Sequence, residues 1–83
     1  VILSRDSVLE YLGEVTVAPI TRTIRDIPSE VLLSKEDGLV TDCAINFDHI
    51  QTVSKAKLGA LITTLSASKL NEVRRAILFS LGL

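Results

Sequence analysis

The part of this sequence best suited to chemistry is a run that alternates hydroxyl and guanidinium side chains. It reads Thr21-Arg22-Thr23-Ile24-Arg25. An arginine can hold a phosphate through two parallel hydrogen bonds and stabilise charge that develops on it, and threonine hydroxyls can donate to the same oxygens. The run therefore suits a phosphodiester. A solvent-exposed segment at the edge of a hairpin would have the same composition. Composition alone favours this structural interpretation over a phosphate-binding site.

Other catalytic patterns are weak in this chain. Cys43 and His49 are its sole cysteine and histidine, and a corner is predicted between them. We therefore favour a cysteine buried as a small apolar residue over a nucleophilic Cys–His pair. Glu36 and Asp37 stand beside Gly38, a position typical of solvated turn residues rather than of paired catalytic carboxylates. No glycine-rich phosphate loop occurs.

Nothing in the sequence requires a metal or another cofactor. A metal site would need Asp42, Asp48 and His49 to converge, which their spacing does not demand. A single cysteine also excludes an intrachain disulfide and a zinc site built on two or more cysteines. We therefore expect no metal and no cofactor.

The composition describes one small domain, residues 1–83, with 47% apolar and 23% charged residues. Nine basic against ten acidic side chains give no overall charge that would draw the chain to a membrane or to nucleic acid. No apolar run approaches the ~18 residues of a membrane span, so we expect a cytoplasmic protein without membrane contact. Only three aromatic residues are present, and association with a second copy would add stability to such a core.

Short β-rich segments recur along the first two thirds of the chain. β-branched and apolar residues between turn signals predict strands. The expected strands cover residues 1–4, 14–20, 30–33, 42–46, 51–53 and 58–65, with a helical turn at 8–12 and a tight turn at 35–38.

The last segment predicts an amphipathic helix. Ser66 is the expected N-cap, and Gly82 is expected to stop the helix. One apolar stripe is expected to face the core, formed by Leu70, Val73, Ile77 and Leu81. The fold class predicted from these elements is mainly β (α+β), a small barrel or curled sheet capped by a C-terminal amphipathic α-helix.

Sequence motifs also follow one another in a familiar order. Residues 1–4 resemble the end of an Arg-Pro-x-x-Val-Leu-Ser strand, and residues 15–25 resemble a strand with a Pro-x-Thr-Thr type ending. Residues 27–31 match a return strand, and residues 42–53 resemble a Val-Asn-x-Asp-x-Ile-x-Thr-Ile stretch. This ordered set resembles the MazF/PemK toxins and spans the whole chain.

The resemblance implies a fold, an activity and two partners. The fold is an SH3-like barrel of the CcdB/PemK type that acts as a homodimer. The activity is sequence-specific cleavage of single-stranded mRNA by the toxin of a type II toxin–antitoxin system, whose protein partner is a cognate antitoxin. The implied reaction is attack of a ribose 2′-hydroxyl on the adjacent phosphate, which leaves a cyclic phosphate and a free 5′-hydroxyl.

The resemblance also implies roles for particular residues. Thr21 falls on the catalytic threonine of the family. RNA-binding positions are implied beside it and in the later loop that contacts bases; they are Arg22, Thr23, Arg25, Asp48, His49 and Gln51.

The sequence departs from the family pattern at its start. The family's catalytic arginine belongs immediately before the proline that precedes Val1, and the first strand and its loop also lie outside the 83 residues. We therefore expect little cleavage by these residues alone, unless His49 substitutes as a base. Two alternatives stay open: a CcdB-like toxin that binds DNA gyrase, and a catalytically inactive fragment that binds an antitoxin. Arg22 and Arg25 favour the nuclease.

Overall fold

The computed structural model describes residues 1–3 and 13–82. Within these ranges the chain forms five short strands and one α-helix. They are β1 (Glu14–Val17), β2 (Ile20–Thr21), β3 (Glu30–Leu33), β4 (Cys43–Asn46), β5 (Gln51–Ser54) and α1 (Ala67–Ser80). Three single-turn 3₁₀ helices connect them, at Lys35–Asp37, Phe47–His49 and Lys55–Lys57. The predicted helical turn at 8–12 lies outside the described residues.

The first sheet is a β1–β5 antiparallel pair in which Val15 lies opposite Val53. Val1 to Leu3 runs along the other edge of β1, because Leu3 donates its N–H to the Thr16 carbonyl at 2.8 Å. The expected extended segment at the start of the chain is therefore confirmed for the residues described there.

The second sheet has the order β2–β4–β3, with β4 in the centre. All four residues of β4 are buried, as expected for a strand flanked on both sides. Both neighbours run antiparallel to β4. Consequently β2 and β3 are parallel to each other, and the connection at 22–29 must return from one end of β4 to the other.

The prediction of a single strand at 14–20 is wrong in one respect. The segment forms two strands, β1 and β2, which belong to different sheets. Val17 still pairs with β5, whereas Ile20 pairs with Ile45 of β4. The division falls at Ala18 and Pro19. Proline has no N–H to donate to a ladder, so a strand commonly ends there.

The C-terminal helix is confirmed, and its predicted apolar stripe is confirmed in part, because Val73 is buried and Ile77 packs against the core. Ser66 caps it by accepting a hydrogen bond from the Lys69 N–H at 3.2 Å. Val73 and Ala76 are buried, whereas Leu70 and Leu81 are 53% and 59% exposed. The helix ends at Ser80, so Leu81 lies beyond the last turn. The face that packs on the core therefore consists of Val73, Ala76 and Ile77.

The core lies between the second sheet and this helix. It is aliphatic apart from one aromatic ring, and consists of Ala18, Val31, Leu33, Cys43, Ile45, Phe47, Val73 and Ala76. Burying such side chains contributes about 25 cal/mol per Å² of apolar surface. The helix is also tied to the sheet edge, because Lys69 Nζ donates to the Leu32 carbonyl oxygen at 2.7 Å.

The strand predicted at 58–65 is wrong. None of the described strands pairs with this segment, and its Leu61 and Ile62 are 83% and 76% exposed. A β-branched sequence forms a strand only where a neighbour supplies hydrogen bonds. Here the segment is held instead by Thr63, whose Oγ1 donates to the Asp37 carbonyl at 2.9 Å.

The remaining element predictions are confirmed, since the structure has strands at 30–33, 43–46 and 51–54 and a turn at 35–38. The mixed architecture of strands and one C-terminal helix agrees with the predicted class. The strands of the described ranges form two separate sheets, and no closed sheet joins them. Within the same ranges, no helix has the length and apolar character needed to cross a bilayer.

Candidate functional site

Thr21 is the last residue of β2 and pairs with Ala44 of β4. Its side chain is half-buried, and its Oγ1 accepts a hydrogen bond from the Thr23 N–H at 3.1 Å. Hydroxyl side chains commonly stabilise the chain two residues on in this way. Because Oγ1 is the acceptor in that bond, its own O–H hydrogen is available to donate outward.

Thr21 and Arg22 form one wall of an open groove of about 240 Å³. The rest of the groove is mainly apolar, lined by Ile20, Leu39, Val40, Thr41, Cys43 and Ile62. Arg22 is exposed, and the described residues supply no ion pair to it. A hydroxyl and an unpaired guanidinium at the rim of an apolar groove can hold an anionic group.

Cys43 belongs to the core rather than to the chemistry. It is 4% exposed, and burial together with the nearby charges of Asp42 and Asp37 raises the pKa of its thiol. His49, in contrast, is exposed. A thiol held neutral by burial is a poor nucleophile, so the expectation of a structural cysteine is confirmed.

Arg25 is tied to Glu30, which opens β3. Glu30 Oε2 accepts from Arg25 Nε at 3.1 Å, while Oε1 accepts from the backbone N–H groups of Arg25 at 2.9 Å and Asp26 at 3.1 Å. The Glu30 side chain is only 1% exposed, and that of Arg25 is 45% exposed. Asp26 has a φ of 52°, an uncommon conformation for a non-glycine residue. Its N–H donates to the Glu30 carboxylate, which stabilises this conformation.

Opposing effects act on the Glu30 carboxyl. Burial alone would raise its pKa. Arg25 lowers the pKa through its backbone and side-chain hydrogen bonds and through its charge, and the Asp26 N–H lowers it further. The net effect is a pKa below the ordinary value. Glu30 is therefore a charged carboxylate in the folded protein at neutral pH.

Asp48 completes this cluster from the other side. Its Oδ2 accepts from Ser29 Oγ at 2.7 Å and lies 3.9 Å from Arg25 Nη2. Its backbone N–H donates to the Asn46 side chain at 2.9 Å, which fixes the 3₁₀ turn that follows β4. His49 and Gln51 are exposed next to this turn, and Gln51 pairs with Val17.

The predicted site residues therefore fall into two groups. Thr21 and Arg22 lie beside the start of β4, because Thr21 is opposite Ala44. Arg25 and Asp48 are brought together beyond the other end of β4, where Glu30 is opposite Asn46. The sequence run from Thr21 to Arg25 is thus not a single cluster in space.

Two residues of this arrangement were missed from the sequence. Glu30 and Ser29 are both buried and hold Arg25 and Asp48, respectively. The usable signal was a carboxylate at the head of the apolar strand Glu30–Leu33, since a buried charge requires partners. Among the described residues, no three His, Cys, Asp or Glu side chains form a group that could hold a metal ion.

Comparison with known proteins gives one family and several relatives. The sequence pattern described as "PemK-like, MazF-like toxin of type II toxin-antitoxin system" matches residues 1–81. The chain is 37% identical over 82 residues to the "Probable endoribonuclease MazF2" of Mycobacterium tuberculosis, a match that covers 98% of this chain and 80% of the relative.

Solved structures give the same likeness. The toxin MazF-mt6 of Mycobacterium tuberculosis superposes with a TM-score of 0.94 at 36% identity, over 100% of this chain and 84% of that one. An endoribonuclease from a mycobacterial species, solved in complex with its cognate antitoxin, superposes with a TM-score of 0.88 at 28% identity, over 100% and 79% of the two chains.

Proposed function

The chain belongs to the PemK-like, MazF-like toxin family of type II toxin–antitoxin systems, and we propose that it is an endoribonuclease toxin that cleaves single-stranded mRNA at specific sequences. Relatives that share 37% and 38% of their residues with it bear the name endoribonuclease. The structural observation that carries the proposal is the open groove rimmed by the Thr21 hydroxyl and the Arg22 guanidinium.

The groove suits the phosphate at which RNA is cut. Thr21 donates its O–H to one non-bridging phosphate oxygen, and Arg22 reaches the phosphate with a guanidinium that the described residues leave unpaired. Charge-assisted hydrogen bonds of this kind are about twice as strong as neutral ones. Thr21 is thus the catalytic residue and Arg22 the phosphate ligand.

The reaction proposed is an internal transesterification. The ribose 2′-oxygen forms a bond to the adjacent phosphorus as the bond from phosphorus to the 5′-oxygen breaks. The 2′-hydroxyl loses its proton and the departing 5′-oxygen gains one, which leaves a 2′,3′-cyclic phosphate and a 5′-hydroxyl. Thr21 and Arg22 contribute by aligning the phosphate and by stabilising the charge that develops on its oxygens.

We assign contacts with the RNA bases to the group of residues around Arg25 and Asp48. Single-stranded RNA is recognised through base edges that a duplex would hide, and polar side chains near one another suit that task. The residues that we assign to RNA contacts besides Arg22 are Thr23, Arg25, Asp48, His49 and Gln51. All of them are exposed.

We assign two protein partners, a second copy of this chain and a cognate antitoxin. Several large apolar side chains are exposed, and a partner protein would remove them from water; they include Leu61, Leu70, Leu78 and Phe79. A closed SH3-like barrel, with the two sheets joined through further strand pairing, and action in the cytoplasm complete the proposal. The gyrase-binding alternative loses its support, because the named relatives are endoribonucleases.

The test is cleavage of labelled single-stranded RNA by the full-length protein, with the new 5′ ends mapped. We expect cuts at a short recurring sequence, ends that carry a 5′-hydroxyl, and loss of cleavage when the antitoxin is added. A gyrase supercoiling assay runs in parallel. Intact RNA together with inhibited supercoiling would overturn the proposal, as would intact RNA and unaffected gyrase.

A further inference from the structure

Three charged groups meet where the 22–29 connection reaches β3. They are the guanidinium of Arg25 and the carboxylates of Glu30 and Asp48, which together carry one net negative charge at neutral pH. Arg25 is therefore already neutralised by its neighbours, and the cluster repels rather than attracts a phosphate. An uncharged partner suits it better, and in RNA the uncharged part is the base.

The cluster also presents free hydrogen-bonding groups. Asp48 Oδ2 is occupied by Ser29, while its Oδ1 has no partner among residues 1–3 and 13–82. The side chains of Asp48 and Arg25 are 41% and 45% exposed. An acceptor and the remaining N–H donors of a guanidinium thus stand side by side at the surface. The Watson–Crick edge of every unpaired base offers a donor next to an acceptor in the same way.

Glu30 holds this arrangement in place. One of its oxygens binds Arg25 Nε, and the other binds the backbone N–H groups of Arg25 and Asp26, so both the side chain and its loop are fixed. Fixing the guanidinium before RNA arrives removes the entropy cost of ordering a long side chain on binding. Since the Glu30 side chain is buried, it acts on RNA through Arg25 and the loop that carries Arg25.

We propose that Glu30 is a positioning residue that turns Arg25 and Asp48 into a base-reading pair, with Arg25 recognising a base and not a phosphate. The inference rests on the proposed ribonuclease function. It assigns the two arginines different tasks, with Arg22 on the backbone of the RNA and Arg25 on its sequence.

The decisive variant is Glu30→Gln. Its amide oxygen still accepts from the two backbone N–H groups, but its NH₂ cannot accept from Arg25 Nε, so the variant loses the side-chain link to Arg25 together with one negative charge. Binding is measured by fluorescence anisotropy of a labelled single-stranded RNA that carries the mapped cleavage site, with a 2′-deoxyribose at the cut position to prevent attack. Glu36→Gln, an exposed carboxylate outside the cluster, is the matched control.

For Glu30→Gln we expect about tenfold weaker binding, a raised KM and a nearly unchanged kcat, with no change in the dependence of log Kd on log salt. Arg25→Lys, which keeps the charge on a surface residue but removes Nε, should weaken binding equally and serves if the buried variant fails to fold. Arg22→Ala, in contrast, should reduce the salt slope by roughly 0.7 for each phosphate that the protein no longer neutralises.

A double-mutant cycle separates positioning from independent contacts. If Glu30 acts through Arg25, then Glu30→Gln combined with Arg25→Ala should bind no more weakly than Arg25→Ala alone. Three results would overturn the inference. The first is additive effects in the cycle, and the second is wild-type affinity in both Glu30→Gln and Arg25→Lys. The third is a salt slope of Glu30→Gln that falls as it does in Arg22→Ala. A wild-type protein that neither binds nor cuts any RNA would instead refute the proposed function.

Discussion

The side chain of Thr63 lies directly against Gly38. The Thr63 hydroxyl donates to the Asp37 carbonyl at 2.9 Å, and a methyl group placed on Gly38 would collide with the same hydroxyl. Gly38 also has a φ of 93°, in the left-handed region that favours glycine. The turn after β3 and the irregular segment at 58–66 are therefore joined at one point, where Gly38 has no room for a side chain.

Gly38→Ala is expected to destabilise the protein by about 1–3 kcal/mol, because it adds both backbone strain and a steric clash. For a domain of this size the melting temperature should fall by roughly 4–24 °C, measured by thermal unfolding. Gly59→Ala is the control, since a Cβ there meets no atom within 4 Å. Equal melting temperatures for the two variants would show that the Gly38–Thr63 contact carries no constraint.

In the full-length protein, Thr21→Ala is expected to reduce RNA cleavage by at least about a hundredfold, because the hydroxyl that aligns the phosphate is removed. The melting temperature should hardly change, since the side chain is half-buried and forms one local hydrogen bond. Initial cleavage rates and thermal unfolding are measured on the same samples. Thr21→Ser keeps the hydroxyl and should retain most activity, and the exposed Thr64→Ala should match wild type. A large loss of stability with cleavage retained would reverse the assignment.

Glu30 should make stability depend on pH in the acidic range. Its pKa in the folded protein is lowered from the ordinary 4.5, so its stabilising contribution is complete above that value and disappears as the pH falls through the folded pKa. Glu30→Gln should therefore be less stable than wild type at neutral pH, and the difference should shrink below about pH 4.5. Thermal unfolding between about pH 3 and pH 7 measures this; a constant difference at all pH values would contradict it.

Ser66→Ala is expected to cost about 1 kcal/mol of stability, because the Lys69 N–H loses its capping oxygen at the start of α1. Ser66→Asp keeps an acceptor and adds a negative charge at the positive end of the helix dipole, so it should be at least as stable as wild type. Chemical denaturation of both variants provides the comparison. Identical midpoints for Ser66→Ala and wild type would show that the cap is not used.

Elements governed by local chemistry could be predicted from the sequence. Ser66 and Gly82 bound the helix, Gly38 makes the turn, and the strands at 30–33 and 43–46 appear where β-branched and apolar residues cluster. Elements that depend on distant partners could not. Residues 58–65 had the composition of a strand but no strand to pair with, and Leu70 had the right spacing but no surface to pack against.

The candidate site shows the same division. Thr21 and Arg22 could be singled out by their side-chain chemistry, and they line a groove. That Arg25 lies instead beside Asp48 depends on the path of the 22–29 connection across the sheet, which no local pattern encodes. The buried Glu30 was missed because a strand pattern records which positions are apolar and not what an isolated charge among them contacts.

The Leu32 carbonyl that accepts a hydrogen bond from Lys69 belongs to β3, which forms an outer edge of the second sheet. An edge carbonyl left open is a template on which a foreign strand can assemble, and a lysine placed there is a common defence against aggregation. Lys69 occupies that carbonyl with an ammonium group that also pairs with Glu72. The bond therefore occupies one edge carbonyl of β3 that an added strand would need for pairing.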